Sequence, residues 1–170
     1  MPDAEPMIVL ENVYKIFGPN PRGRAFDLCS SGVGKDEVQR QTGHVVGMRD
    51  ISFDVQRGEI FVVMGLSGSG KSTAIRTVNK LHDVTHGRVL VDGIDVQELR
   101  GASLQSFRRE KTAMVFQHFA LFPHRNVIDN TAYGLKVQGV DKKERHEAAI
   151  EALAMVGLEA YAFNATRQLS

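Results

Sequence analysis

Residues 58–73 read Gly-Glu-Ile-Phe-Val-Val-Met-Gly-Leu-Ser-Gly-Ser-Gly-Lys-Ser-Thr, and the fold turns on this stretch. Its first half, Ile60 to Met64, is continuously apolar, the pattern of a strand covered on both faces in a parallel sheet. Its second half, Gly65 to Ser72, matches Gly-x-x-x-x-Gly-Lys-Ser/Thr, between that strand and a helix expected from Lys71 to about Leu81. Glycines let the backbone curl so that successive N–H groups point inward as an anion nest. The helix N-terminus adds free N–H groups and its positive dipole end. Candidate phosphate-binding residues are therefore Gly65, Ser67, Gly68, Ser69, Gly70, Lys71, Ser72 and Thr73. Lys71 supplies a point charge for β- and γ-phosphates, Ser72 a hydroxyl for Mg²⁺, and Thr73 is within reach of an α-phosphate. The pattern implies a nucleoside triphosphate, without saying which class of phosphate-loop protein carries it.

Toward the N-terminus, a strand is expected over Met7–Val13, broken by Gly18 and the run Pro19-Asn20-Pro21. Residues 19–46 are rich in Gly, Ser, Arg and Gln, with one helix-compatible stretch at Lys35–Gln41, and read as a surface insertion. Strand-like runs follow at Met48–Val55 and Glu59–Met64, separated by Arg57-Gly58. Toward the C-terminus come a strand at His86–Gly93, a helix at Ser103–Arg109 and a strand at Thr112–Phe116, with Gln117 at its end. A helix is expected over Val127–Val137. Another begins at the N-cap Asp141, stacks Ala149, Leu153 and Val156, and stops at Gly157.

Across 170 residues, 21 Lys and Arg stand against 20 Asp and Glu, a net charge of +1 that argues against nucleic-acid binding through bulk charge. No run reaches the ~18 apolar residues of a membrane span, and Met1–Pro6 does not read as a signal peptide. A cytosolic chain is expected, with any membrane association through a partner. The single Cys29 has no internal disulfide partner and reads as inert. His44, His82, His86, His118, His124 and His146 lack metal-ligand spacing and read as solvated, as does the helix face Lys142-Lys143-Glu144-Arg145.

In combination these segments resemble the ABC ATPases. Residues 58–73 look like that family's Walker A motif, and Gly87–Asp92 like its following strand. Val115-Phe116-Gln117 with Leu121-Phe122-Pro123-His124 resembles the Q-loop, and Asn126–Asn130 the start of the helical subdomain. Glu11–Gly18, the 19–46 insertion, and Asp-Asn-Thr-Ala-Tyr-Gly at 129–134 are similar to the glycine betaine/proline/choline importer branch. The implied fold is α/β, a P-loop NTPase core with an N-terminal antiparallel β portion and a partial helical subdomain at 125–168.

The resemblance also implies roles. Phe17 matches the aromatic that stacks on adenine, with Tyr14 as the other candidate. Gln117 matches the glutamine that contacts Mg²⁺ and the attacking water, in a Q-loop spanning 117–124. The apolar Phe119, Leu121, Phe122 and Pro123 form either a docking surface for a membrane subunit or packing under the helices. ATP and Mg²⁺ are the implied cofactors. The implied partners are a transmembrane permease, a second ATPase subunit in a homodimer and, indirectly, a substrate-binding protein. Their place is the cytoplasmic face of the inner membrane.

The sequence stops at Arg167-Gln168-Leu169-Ser170, where the family signature begins Leu-Ser-Gly-Gly. The C-terminal part of the core, with the Walker B Asp, the catalytic Glu and the switch His, is thus expected to be missing. Met64 and its neighbours would then have unpaired edges. The alternative to an importer ATPase is a truncated, catalytically inactive fragment that binds nucleotide or a partner.

Overall fold

A computed structural model describes residues 5–116 and 121–168. The β-branched and aromatic residues between 8 and 17 form strand β1 (Ile8–Phe17). It pairs antiparallel with β2 (Val45–Val55) on one side and β3 (His86–Val91) on the other. A short β4 (Ile94–Asp95) completes the order β2-β1-β3-β4. Ile8 faces Val55 and Val91, and at the far end Phe17 faces Val45. Mid-strand, Asn12 and Asp50 take φ of 46° and 47°, where the register shifts. The Asn12 amide donates to Asp50 Oδ1 at 3.0 Å and its backbone N–H to Ser52 Oγ at 2.9 Å, fixing the bulge. Leu10, Val13, Ile16, Val89 and Val91 are buried along these strands.

The 19–46 segment, read as a surface insertion, lies mostly exposed and also contributes to a core. It forms α1 (Arg24–Ser30) and α2 (Lys35–Thr42), and Ala25, Cys29 and Val38 are buried in one cluster with Ile16 of β1. The cluster is built from small residues, so its apolar signal is faint among polar neighbours. Arg49 of β2 closes the end of α1, donating from Nε and Nη2 to the Cys29 carbonyl at 3.1 and 2.8 Å and also to the Val33 carbonyl. The insertion thus braces the end of the β1–β2 pair at which Phe17 lies.

Two expected strands are absent. Residues 59–64 are unpaired, with Ile60, Val62 and Met64 91%, 65% and 84% exposed. Phe61 stacks on Phe53 of β2 at 4.8 Å, so the segment covers one face only. Residues 112–116 are likewise irregular, and Val115 is 98% exposed. A strand exists through its neighbour's N–H and C=O groups, and no described residue pairs with either segment. Helix α3 (Lys71–Val78) stops short of Leu81, capped by Asn79 before Lys80 at φ 52°. α4 (Gly101–Glu110) forms as expected.

The chain divides into two units, one through Gln105 and one from Ser106. In the second, the single helix expected at Val127–Val137 is two, α5 (Val127–Thr131) and α6 (Tyr133–Val137). α7 (Lys142–Met155) begins where Asp141 Oδ1 accepts the Lys143 N–H at 2.8 Å, and Gly157 follows it at φ 71°. Val127, Ile128, Ala132, Ala149, Leu153 and Ala162 form the core, whereas Val156, expected among them, is exposed. Leu153→Ala is expected to destabilise this unit by about 2–5 kcal/mol, read from urea denaturation.

Candidate nucleotide site

The site is built by close backbone approach. Gly65, Gly68 and Gly70 take φ of 155°, 77° and 97°, conformations that L side chains avoid. A Cβ added at Gly70 would lie 2.3 Å from the Gly47 carbonyl oxygen. One added at Gly47 would lie 2.6 Å from the Phe17 ring. The phosphate loop, β2 and the Phe17 ring therefore stack in a row that only side-chain-free residues allow.

Helix α3 starts at Lys71 without a side-chain cap, leaving its first-turn N–H groups for an external acceptor. Lys71 Nζ folds over the loop and donates to the Gly65 and Leu66 carbonyls at 2.8 and 2.7 Å, with Ser69 Oγ at 3.4 Å. An anion entering the nest would meet this ammonium at its rim. Phe17, Val45–Gly47, Gly68 and Gly70–Thr73 line one cavity of about 250 Å³. Ser69 borders a larger adjoining hollow that includes Phe61–Met64, while Gly65 and Ser67 line neither. Ser72 is exposed and Thr73 half-buried. Gln117, His118 and Phe119 lie outside the described residues.

Phe17 is held by two basic groups. Lys15 Nζ lies 4.8 Å from its ring centroid, and His82 meets it edge-on at 5.4 Å. Burial lowers the Lys15 pKa, opposed by Asp83. His82 is lowered too, first by burial and then by the charges of Lys15 and Arg76. A base depressed in the fold resists protonation there, so stability falls as pH drops through its unfolded value of ~6.5. His82→Gln is expected to flatten the loss of melting temperature between about pH 7 and pH 5. Tyr14 packs elsewhere, against Phe26 at 5.3 Å and His86 at 6.1 Å.

The histidines are not simply solvated. His44 reaches the Thr42 and Pro19 carbonyls at 2.8 and 2.5 Å, and His146 Nε2 lies 3.0 Å from Asp129 Oδ1. His82, His86 and His124 contact aromatic rings. Among the described residues no group of three or more His, Cys, Asp or Glu could hold a metal ion.

In the second unit, Asn130 organises the 121–126 loop. Its Oδ1 accepts from Phe122 N at 2.7 Å, and its Nδ2 donates to the Phe122, Arg125 and Asn126 carbonyls. Arg125 covers both Phe122 and Tyr133. Phe122 is therefore half-buried packing, while Leu121 and Pro123 remain exposed.

Sequence reading missed Gly47 and Asn130. A glycine within a strand often marks close backbone approach, and Gly47 gave that signal just before Met48. Asn130 carried none.

Comparison with known families decides the kinship: the ABC transporter family profile matches residues 48–170. The chain belongs to the ABC transporter family. It is 48% identical over 161 residues to the glycine betaine/proline betaine transport system ATP-binding protein ProV of Escherichia coli, covering 95% of this chain and 40% of ProV. It is 46% identical over 169 residues to the glycine betaine transport ATP-binding protein OpuAA of Bacillus subtilis, covering 99% and 40%. The chain thus spans about 40% of the length of these relatives. The structure is similar to the ATP-binding cassette MJ0796, solved as a dimer in a post-hydrolysis state with ADP and Pi. The TM-score is 0.77 and the identity 28%, over 96% of this chain and 63% of that one. The fold is accordingly the α/β core of an ABC cassette. No described helix of this ABC family chain is long and apolar enough to cross a membrane.

Proposed function

We propose that the chain binds ATP through the phosphate loop, with Phe17 against the adenine. The observation carrying this reading is the single cavity joining Phe17 to Gly68, Gly70, Lys71, Ser72 and Thr73. The site is suited to the triphosphate: a positive-φ glycine nest, an open helix N-terminus and one ammonium supply donors and positive charge. Gly65, Ser67 and Ser69 complete the loop around it. Mg²⁺ would be held by the Ser72 hydroxyl, Gln117 and phosphate oxygens, and would neutralise charge on the phosphates when bound. Gln117 would also position the attacking water.

Phe17→Ala is expected to weaken ATP affinity by about tenfold, since base–aromatic stacking contributes ~1–3 kcal/mol. Turnover of the full-length protein at saturating ATP should stay unchanged. Unaltered affinity, measured by equilibrium titration, would remove Phe17 from the site.

For the whole protein we read ATP hydrolysis that powers import of a quaternary-amine osmolyte, as the names of ProV and OpuAA suggest by similarity. Its partners would be a permease, docked on the exposed Leu121 and Pro123 together with Phe119, and a second ATPase subunit. A substrate-binding protein would act with the permease outside. The place of work would be the cytoplasmic face of the membrane, without nucleic acid. The organisation read for the domain stands beside this: insertion 19–46, phosphate loop 65–72, Q-loop 117–124 and helical subdomain 125–168.

A second reading is favoured by the exposed Ile60, Val62, Met64 and Val115. On that reading the 170 residues alone bind nucleotide without turning it over. Phosphate release by the isolated chain above that of its Lys71→Ala variant would contradict it.

A further inference from the structure

Phe17 borders the cavity of about 250 Å³ at the phosphate loop, but the two basic side chains that touch its ring do not. Lys15 and His82 line neither that cavity nor the adjoining hollow, so they reach the ring from outside the site. Strand geometry sets this up. Lys15 and Phe17 are two residues apart on β1 and share a face. Opposite them β2 carries one extra residue, since Ile16 pairs with Val46 and Lys15 with Met48. Gly47 is that residue, and a Cβ on it would stand 2.6 Å from the Phe17 ring. A bulge without a side chain thus leaves the ring half-buried and open to the cavity, while Lys15 Nζ sits 4.8 Å from its centroid.

A second observation concerns the ammonium itself. Lys15 is half-buried, yet among the described residues its Nζ has no hydrogen bond and no carboxylate within ion-pair distance. Asp83 acts on it only at longer range, and its contact is the Phe17 ring. Burial strips water from the ammonium, and a desolvated cation binds a ring face most strongly. An aromatic face is negative, which opposes face-to-face stacking of a second flat ring. A cation against Phe17 offsets that charge, so the ring accepts a base more readily.

We propose that Lys15 is a positioning residue for the nucleobase, acting through the Phe17 ring and favouring a nucleotide over its phosphate chain alone. This rests on the reading that adenine lies against Phe17. His82 holds the edge of the ring, and Lys15 sets the strength of the stack on it.

The test compares ATP with inorganic tripolyphosphate, a similar chain without a base, by calorimetry with Mg²⁺ present. Lys15→Met keeps the stem and removes the charge. It is expected to weaken ATP by about three- to fivefold and to leave tripolyphosphate within about twofold. Lys15→Arg, whose guanidinium also stacks on aromatic faces, should hold ATP within about twofold of the unaltered chain. In a Phe17→Leu background, Lys15→Met should cost nothing further, because its route to the base is gone. Equal weakening of both ligands would make Lys15 a phosphate-side or folding residue and overturn the proposal. Full ATP affinity in Lys15→Met, or additive losses in the double variant, would overturn it too. Where Phe17→Leu by itself weakens ATP, those failures concern Lys15 alone. Unchanged affinity in Phe17→Leu would instead remove the ring from the site, and this proposal with it. Lys15→Gln serves in place of Lys15→Met should the latter unfold.

Discussion

Lys71→Ala in the full-length protein should reduce ATP turnover by at least about 100-fold, the scale seen when one preorganised charge stabiliser of a transition state is removed. Without ligand, Nζ is bound by the Gly65 and Leu66 carbonyls and lies near Ser69 Oγ. On nucleotide entry, our account has that ammonium turn to the β- and γ-phosphates. Removing it deletes the loop's one formal positive charge, while the α3 N-terminus and the glycine nest remain. Binding should therefore weaken less than turnover falls, by about 10–100-fold, because a hydrogen bond to a charged group contributes ~1.5–3 kcal/mol. Steady-state phosphate release and equilibrium titration separate the two effects. Near-normal turnover would dismiss the site.

Gly70→Ala is expected to be at least as damaging to binding as Lys71→Ala, through geometry and without loss of charge. The new methyl carbon would stand 2.3 Å from the Gly47 carbonyl oxygen, a backbone atom of β2 between the Ile16–Val46 and Lys15–Met48 pairs. The φ of 97° is hostile to any side chain, a strain of about 1–3 kcal/mol before the clash is counted. The loop must then move off β2, which removes Gly68 and Gly70 from the cavity they share with Phe17. ATP affinity should fall by about 100-fold or more, since each ~1.4 kcal/mol is tenfold. The melting temperature should fall by only several degrees, because residues 65–69 are exposed and can shift to relieve the clash. An affinity within a few-fold of the unaltered chain would show that the loop does not need this contact.

The parts of the fold legible in the sequence are those with a local cause. Gly65–Ser72 announces its nest through spacing alone, and Asp141 and Gly157 mark the ends of α7 through capping chemistry. The strands β1, β2 and β3 show in runs of β-branched residues. What escaped depends on distant partners. The run 60–64 has the composition of a buried strand, yet composition supplies no neighbour for its backbone groups, and Met64 is exposed. The insertion hides its core contribution because Ala25, Cys29 and Val38 are small and scattered among polar residues. For the proposed site, Lys71 and Phe17 could be put forward by type and position, but their meeting in one cavity beside Gly47 could not. That contact links residues far apart in sequence, and only pairing of Phe17 with Val45 brings Gly47 to it.

The most direct test of the central claim is an equilibrium titration of the 170-residue chain with Mg-ATP, with Phe17→Ala and Lys71→Ala measured in parallel. The account predicts saturable binding of one nucleotide, weakened by each substitution. Equal affinity in all three proteins would contradict the claim that the phosphate loop and Phe17 together form the ATP site.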